Sequence, residues 1–399
     1  MNELIPELQK VADSIGRIIC EDDFPEKIRP SYLRDAVLDY PSRGGKRLRP
    51  AILMWSCGLL GGRLESAKFA AAAVEIYHNW TLVHDDIIDN DNMRRGKPSP
   101  HFKIAKSAGK AFGIRPGEAL TFGKNFAMLA GDIQQGWAAN MLLKSAGAGV
   151  SPELTIHLSR RLHELVNRDL ISGEALDVEM PLFELGKLSP AKIEGMLYLK
   201  TGALLRYCAE TGALIGLGSA KFADDMRVRR LGEFASSTGV AFQLRDDWLG
   251  IFGDEEKLGK PVGSDLSEAK PTLLIYHAWS KLDKPGRGKL LSLLGRPSYS
   301  KKDLDLARKI IRDTGAEQKV LRRAGALAKS AKEVLLDFPE ETLRFFRPMY
   351  GKARESLRPF FCDPIPVVTP AGRPSYQSGW LVPKVVNGQF DGMICTFND

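Results

Sequence analysis

Disulfide bonding, zinc binding and membrane spanning find little support in this chain. The five cysteines are odd in number and widely scattered, and they form no CxxC or Cys/His pairing; they are Cys20, Cys57, Cys208, Cys362 and Cys395. Such cysteine usage favours a reducing compartment and argues against a zinc site. No stretch approaches about eighteen uninterrupted apolar residues, so a transmembrane segment is not expected.

Several common sequence signatures are also missing. The segment MNELIPELQKVADSIGRII has acidic residues early and no basic stretch leading into an apolar core, which is not the pattern of a signal peptide. Neither a G-x-G-x-x-G nor a Walker sequence is present, and no region is rich in strand patterns. We therefore expect a soluble, cytoplasmic and mainly helical protein.

The charge is modestly basic. Lys and Arg exceed Asp and Glu by 57 to 49, which gives a net charge of +8. A basic excess suits an anionic partner such as nucleic acid, a membrane surface or a phosphorylated metabolite. The basic residues are interleaved with acids and no recognition motif is present, so we do not expect a nucleic-acid partner.

Helical periodicity runs through most of the 399 residues. From Glu3 to about Ile19 the apolar positions repeat at three and four, and residues Leu64 to about Asp89 contain no Gly or Pro that would interrupt a helix. Residues from Phe102 to Phe122 are interpreted as a helix and loop excursion. The predicted fold is a large all-α bundle whose site is built in the core from facing helices.

An acidic cluster ends the long helix, in the sequence HDDIIDND. Asp85 and Asp89 lie four residues apart, so their carboxylates point to one side of the helix. Two interpretations are open, a solvated helix face or a divalent metal site, and oxygen-only ligands favour Mg²⁺. His78 lies almost two turns earlier on the same face, where a structural role is the alternative to a role in the site.

A second acidic cluster appears far along the chain, in FQLRDDWLGIFGD. Asp246 and Asp247 are adjacent, and Gln243 lies one turn before Asp247. If the two helices face one another across a cavity, the carboxylates can share several magnesium ions while nearby cations hold phosphate oxygens.

Basic segments accompany both acidic clusters. The turn GGKRLRP brings Lys46, Arg47 and Arg49 to the start of an apolar helix, where cations and exposed amides form an anion site; a solvated basic turn is the alternative. The loop RRGKP follows the first acidic cluster, and Lys200 with Thr201 lies in an otherwise apolar helix. Because an unpaired buried ammonium is unfavourable, Lys200 must reach either the surface or a charged cavity.

In this order, GGKRLRP, HDDIID…RRGKPSPH, KTGALL and FQLRDDWLGIFGD…GKPVGSD resemble the trans-prenyltransferases, the short-chain polyprenyl diphosphate synthases. The match covers about residues 40–275 and is specific. The resemblance implies an isoprenoid synthase-type helical bundle with a central cavity, a homodimer, and head-to-tail condensation of isopentenyl diphosphate with an allylic diphosphate.

The resemblance also implies roles for individual residues. The magnesium ligands are Asp85, Asp89 and Asp246, supported by Asp86 and Asp247; these five residues and Lys200 form the predicted catalytic set. The allylic diphosphate is held by Arg94, Lys200, Thr201, Gln243 and Lys260. Isopentenyl diphosphate is held by Lys46, Arg49, His78 and Arg95.

This chemistry also follows from the residue types. Cleavage of a carbon to diphosphate bond leaves negative charge on the leaving group, which metal ions and basic side chains stabilise.

Tyr77 and Trp80 lie eight and five residues before Asp85, about 12 and 7.5 Å along the helix axis, so either can close the hydrophobic pocket. The helical wheel favours Tyr77 as the floor. We expect geranylgeranyl diphosphate as product, with farnesyl diphosphate as the alternative, and a longer product from Tyr77→Ala.

Two departures and two rivals complete the prediction. Gly250 replaces the last Asp of a full second DDxxD motif, and Glu174 stands where many relatives carry Gln. A class I terpene cyclase shares the fold but has no second diphosphate to hold, and a catalytically silent partner subunit need not retain both acidic clusters.

Residues 1–346 are predicted to form the synthase domain. Residues 347–399, rich in Pro and Gly, are an unassigned tail for which a disordered extension, a small accessory segment and a frameshift product are the interpretations.

Overall fold

Helices build the protein up to residue 335. The structure, a computed structural model, describes residues 4–94, 96–253, 262–296, 298–335, 338, 360–368, 374–386 and 389–397. The α-helices are α1 (Leu4–Cys20), α2 (Ser31–Ser42), α3 (Leu48–Leu59), α4 (Leu64–Ile88), α5 (Pro100–Phe112), α6 (Pro116–Leu143), α7 (Pro152–Arg161), α8 (Arg168–Glu179), α9 (Pro190–Leu197), α10 (Ala203–Leu217), α11 (Met226–Phe252), α12 (Ser264–Ser267), α13 (Leu273–Lys281), α14 (Lys284–Leu291), α15 (Lys301–Asp313) and α16 (Ala316–Leu335).

Short segments of other helical types join these elements. Single 3₁₀ turns occupy Phe24–Lys27, Lys144–Gly147, Met180–Leu182, Leu185–Lys187 and Ala220–Phe222. Two π-helical turns, Leu162–Asn167 and Tyr198–Gly202, join α7 to α8 and α9 to α10 without a break. Such wide turns recur at functional sites, and here they carry Asn167, Lys200 and Thr201.

The long helix α4 lies in the middle of the bundle. Its alanine run, residues 70–73, is fully buried, because small side chains let the neighbouring helices approach closely. It packs against α1, α2, α3, α6 and α10. The prediction of one helix from Leu64 to about Asp89 is confirmed, and the all-α fold with it.

The boundary predicted at Phe122 is wrong. Helix α6 already begins at Pro116, since proline suits the first helical turn and Arg115 and Glu118 form a reciprocal cap there. The segment before Gly123 therefore belongs to the core helix α6 and not to a loop.

Two hydrophobic clusters make up the interior. One joins α1 to α8 with α10, the first half of α11 and the end of α16. The other joins α9, the second half of α11 and α12 to α16. Helix α11 runs through both, so the cavity described below lies where the two clusters meet.

Strands are few within the described residues. The hairpin β1 (Met93–Arg94) and β2 (Lys97–Pro98) follows α4 directly. In the tail, β3 (Phe360–Val368), β4 (Pro374–Val386) and β5 (Gln389–Phe397) form an antiparallel sheet in the order β3-β4-β5, with Phe360 opposite Leu381 and Gly379 opposite Phe397. Strand β5 of the tail contacts α11 and α16. The sequence analysis did not predict these strands, and the division at residue 346 stays a prediction.

None of the helices within the described ranges combines the length and the apolar character that crossing a membrane requires.

Candidate active site

A cavity of about 1650 Å³ is lined by α3, α4, α6, α8, α10 and α11. Most of the predicted site residues meet in its wall, although they come from distant parts of the chain. They are Lys46, Arg49, His78, Trp80, Asp85, Asp89, Arg94, Lys200, Thr201, Gln243, Asp246 and Asp247. Asp86 and Tyr77 lie behind the wall, and Arg95 and Lys260 fall outside the described residues.

The three aspartates at the end of α4 point in two directions. Asp85 and Asp89 line the cavity, and the amide of Asp89 closes the helix on the Asp85 carbonyl oxygen at 2.8 Å. Asp86 is fully buried; its carboxylate accepts hydrogen bonds from the Tyr40 hydroxyl and from Nε of Arg94. Burial raises the pKa of Asp86 to about 6. Asp86 therefore fits a supporting role behind the carboxylates that face the cavity.

The hairpin β1-β2 turns Arg94 back over the acidic cluster. Besides Asp86, its guanidinium contacts Asp85, with 3.5 Å between Nη2 and Oδ2. Burial opposes the charge of Arg94, but Asp86 and Asp85 raise its pKa above the ordinary value. Arg94 is thus a permanently charged donor at the mouth of the cavity.

Lys200 occupies the centre of the carboxylates. Its Nζ lies 3.0 Å from Asp85 Oδ1, 2.8 Å from Glu174 Oε2 and 2.7 Å from Asp177 Oδ2. The position depends on Gly173, because a Cβ there would lie 2.4 Å from the backbone nitrogen of Lys200. The close approach of α8 to the second π-helical turn thus brings the Lys200 ammonium group into a charged cavity. This is one of the two environments that the sequence analysis predicted for Lys200.

Two hydrogen bonds link Thr201, the residue after Lys200, to the second acidic cluster. Thr201 Oγ1 donates to Gln243 Oε1 at 3.4 Å, and Gln243 Nε2 donates to Asp247 Oδ1 at 3.4 Å. Burial raises the pKa of Asp247 well above its ordinary range, and Asp265 adds to the effect. A Cβ on Gly250 would lie 2.7 Å from Asp265 Oδ2, so Asp265 occupies the space beside the position where the motif lacks its last aspartate.

The sequence analysis gave no role in this site to Asp177 or Lys270, and it noted Glu174 only as a departure from the family pattern. Lys270 Nζ lies 2.7 Å from Glu268 Oε2, 3.5 Å from Asp89 Oδ2 and 3.6 Å from Asp177 Oδ2. The spacing of Glu174 and Asp177, three residues apart in GEALD, is the signal that was available for the two acids. Nothing in its lysine-rich segment singles out Lys270.

The carboxylates fit Mg²⁺ in their chemistry. Within the described ranges, no three His, Cys, Asp or Glu side chains stand together as a ready-made metal site, since Lys200 and Lys270 lie between the acids. Carboxylate oxygens are the donors that Mg²⁺ prefers. Burial raises the pKa of Asp89 to about 6 and that of Glu174 to about 7, and the neighbouring Asp85 carboxylate adds to both shifts. Asp85, Asp89 and Asp246 are the residues that would hold the ion.

The opposite part of the wall is basic. Lys46 and Arg49 flank Arg47, whose guanidinium is buried in an ion pair with Glu75 and donates to the Pro41 carbonyl oxygen at 2.7 Å. Arg47 therefore anchors the turn, while Lys46, Arg49 and His78 line the cavity. Cations clustered in this way have the chemistry that anion binding requires.

Comparison with known proteins agrees with this geometry. The family model described as polyprenyl synthetase matches residues 30–311. The chain belongs to the polyprenyl synthetase family. It is therefore a prenyltransferase, which confirms the prediction made from the four motifs.

Relatives of this polyprenyl synthetase cover most of its length. A geranylgeranyl diphosphate synthase of Saccharolobus solfataricus is 38% identical over 70% of this chain and 76% of its own. A geranylfarnesyl diphosphate synthase of Aeropyrum pernix is 35% identical over 78% of this chain and 89% of its own. A geranylgeranyl pyrophosphate synthase of Corynebacterium glutamicum, solved with isoprenyl diphosphate and magnesium, superposes with a TM-score of 0.71 at 30% identity, covering 86% of this chain and 98% of its own.

The two aromatic residues predicted to set product length occupy different layers of this polyprenyl synthetase. Trp80 lines the cavity, whereas Tyr77 is fully buried behind it, with 4.8 Å between the ring centroids. The helical wheel had favoured Tyr77 as the floor. It could not include the neighbouring helices, which cover Tyr77 and leave Trp80 in contact with the cavity.

Proposed function

We propose that this polyprenyl synthetase condenses isopentenyl diphosphate head to tail with an allylic diphosphate in a Mg²⁺-dependent reaction, with geranylgeranyl diphosphate as the main product. One observation carries the proposal: a single cavity joins facing acidic clusters on α4 and α11 to a separate basic wall. This arrangement supports separate sites for the diphosphates of the two substrates.

The acidic end supports ionisation of the allylic substrate. Magnesium supplies charge neutralisation of the diphosphate when it is bound between the carboxylates. Arg94, Lys200 and Thr201 donate hydrogen bonds to the phosphate oxygens, and these donors become stronger partners as negative charge develops there. The bond between the allylic carbon and the diphosphate oxygen breaks, and its electron pair leaves with the diphosphate.

The basic wall positions the second substrate. Lys46, Arg49 and His78 hold the diphosphate of isopentenyl diphosphate so that its double bond faces the allylic cation. A carbon to carbon bond forms, and the proton lost from the isopentenyl unit passes to the released diphosphate. No side-chain base is assigned.

The names of the relatives support geranylgeranyl diphosphate as the product. Geranylgeranyl diphosphate is the product named for the Saccharolobus and Corynebacterium proteins. A farnesyl diphosphate synthase of Geobacillus stearothermophilus, 36% identical over 61% of this chain and 74% of its own, keeps the shorter product as the second candidate.

Exposed apolar side chains support a homodimer. Met128 and Leu129 on α6 are 49% and 48% exposed, and Ile171 and Val178 on α8 are each 51% exposed. Apolar surface of this kind commonly marks a protein interface.

The thiols of Cys20, Cys57 and Cys208 are free, which supports the expected cytoplasmic location.

The proposal is tested by incubating the purified chain with isopentenyl diphosphate and each allylic diphosphate in turn, with Mg²⁺ and with EDTA. We expect linear products of twenty carbons with Mg²⁺ and none with EDTA. Asp85→Asn should abolish turnover, whereas Asp305→Asn, at an exposed site on α15, should not. A cyclic hydrocarbon would indicate a terpene cyclase, and a lack of both chain growth and diphosphate release would indicate a silent subunit.

A further inference from the structure

Three hydrogen-bonded polar side chains lie at the part of the cavity away from its acidic end; Gln135 and Asn167 line the cavity there and Tyr77 lies behind them. We call these three residues the polar floor. The Tyr77 hydroxyl donates to Asn167 Oδ1 at 2.8 Å, and Gln135 Nε2 donates to the same oxygen at 2.6 Å. In this orientation of the two amides, the oxygen of Asn167 accepts both bonds. One oxygen therefore ties α4, α6 and the first π-helical turn together.

The polar floor marks where the cavity lining ends along two of its helices. Asn167 precedes Glu174 by seven residues, about 10 Å along the helix axis. Gln135 and Asn167 line the cavity, and no described residue that precedes Asn167 on this helix or follows Gln135 on α6 does so. Leu162 and Val166, on the turn before Asn167, are buried in the core instead.

Burial within the polar floor is uneven: Gln135 and Asn167 are half-buried, whereas the hydroxyl-bearing ring of Tyr77 is enclosed by the core. Leu170, one turn towards the acids, is 5% exposed, and Tyr77 has no exposed surface. A hydrocarbon chain that pushed Asn167 aside would bring no acceptor, so the fully buried Tyr77 hydroxyl would lose its partner, whereas the half-buried Gln135 amide can reach water. Buried donors without a partner are strongly unfavourable, whereas apolar side chains can change rotamer at little cost.

We infer that the polar floor sets the product length of this enzyme, and that Tyr77 acts through its hydroxyl group on Asn167 and not through the bulk of its ring. The inference rests on the proposed function. It assigns a specificity role to Gln135 and Asn167, and it explains how Tyr77 can limit the chain although Trp80 separates it from the cavity.

Two substitutions separate the hydrogen bonds from steric bulk. Tyr77→Phe keeps the ring and removes the donor, and Asn167→Leu keeps the approximate volume and removes the acceptor. In each variant we expect the ratio of longer product to wild-type product to rise about tenfold, as the loss of one hydrogen bond of ordinary strength predicts. Asn167→Asp retains an acceptor for both donors and should keep the wild-type product. Asn140→Leu, at an exposed position of α6 outside the cavity, is the control.

The measurement is chromatography of dephosphorylated products, together with total isopentenyl incorporation. Longer products from Tyr77→Phe and Asn167→Leu, with wild-type products from Asn167→Asp and Asn140→Leu, would support the polar floor. Unchanged product length in active Tyr77→Phe and Asn167→Leu variants would overturn it. If Asn167→Leu does not fold, Tyr77→Phe decides alone. Absence of incorporation by the wild-type protein would instead refute the proposed function.

Discussion

Lys270 shows how much a single side chain contributes to this site. Its ammonium group bridges carboxylates from three parts of the chain, Asp89, Asp177 and Glu268. Burial opposes its charge, but Asp177 and Asp89 raise its pKa above the ordinary value. Lys270 is thus a fixed cation next to a predicted metal ligand, where it can hold a diphosphate oxygen.

Lys270→Met should therefore lower kcat/KM for the allylic diphosphate by about 10- to 100-fold, the range expected for a lost hydrogen bond to a charged group. Steady-state kinetics at saturating Mg²⁺ measures the effect. Lys281→Met, at the exposed end of α13, is the matched control. Equal kcat/KM values for the two variants would show that Lys270 does not contact the substrate.

The carboxylates also predict how Mg²⁺ binding depends on pH. Burial raises the pKa of Asp89 to about 6, so this group gains a proton as the pH falls through 6, and the proton competes with the metal. Mg²⁺ with inorganic diphosphate should raise the Tm more at pH 7.5 than at pH 5.5. Calorimetric scans at both pH values provide the measurement, and an equal rise at both would contradict the assignment of Asp89 as a ligand.

At the scale of elements, the crossing of α8 with the second π-helical turn sets the geometry of the acidic end. Gly173 leaves room for the backbone of Lys200, and a Cβ there would lie 2.4 Å from its nitrogen. The crossing holds Lys200 between the carboxylates of α4 and α8.

Gly173→Ala should force these helices apart, destabilise the protein by about 1 to 3 kcal/mol and reduce kcat/KM, because overpacking shifts the backbone that carries Lys200. Thermal unfolding and kinetics measure both effects. Gly195→Ala on α9 is the control, since a Cβ at Gly195 meets no atom within 4 Å. A Gly173→Ala variant as stable as Gly195→Ala would show that the crossing tolerates the methyl group.

At the scale of the whole molecule, the exposed apolar side chains of α6 and α8 flank the cavity. Leu129→Asp should dissociate the proposed homodimer, because a charge in an apolar interface loses its hydration without gaining a partner. Light scattering during size exclusion at about 10 μM measures the mass, a concentration at which a stable dimer persists. Leu291→Asp on α14, where Leu291 is 47% exposed, is the control. A monomeric wild-type protein would contradict the proposal.

Much of the molecule followed from patterns that are local in the chain. The absence of Gly and Pro from residue 64 onward predicted α4 to within one residue of its end, and the spacing of Asp85 and Asp89 already placed them on one face. The four motifs together were enough to predict the family. Such features depend on spacing along one helix, which the sequence states directly.

Only the tertiary structure shows which helices contact one another. Periodicity shows which residues share a face but not which neighbour covers that face, so the wheel ranked Tyr77 above Trp80 as the lining residue. Lys270 and Asp177 joined the site only because α8 and the segment after α12 converge on α4.

By itself, therefore, the sequence determined the helices, the two acidic clusters, the basic turn and the family. The tertiary structure decided that Asp86 turns away from the cavity, that Lys200 and Lys270 separate the acids, and that the polar floor lies away from the acidic end. The reason is physical: helix formation and charge spacing are local, whereas packing at a crossing such as Gly173 against Lys200 sets which side chains meet.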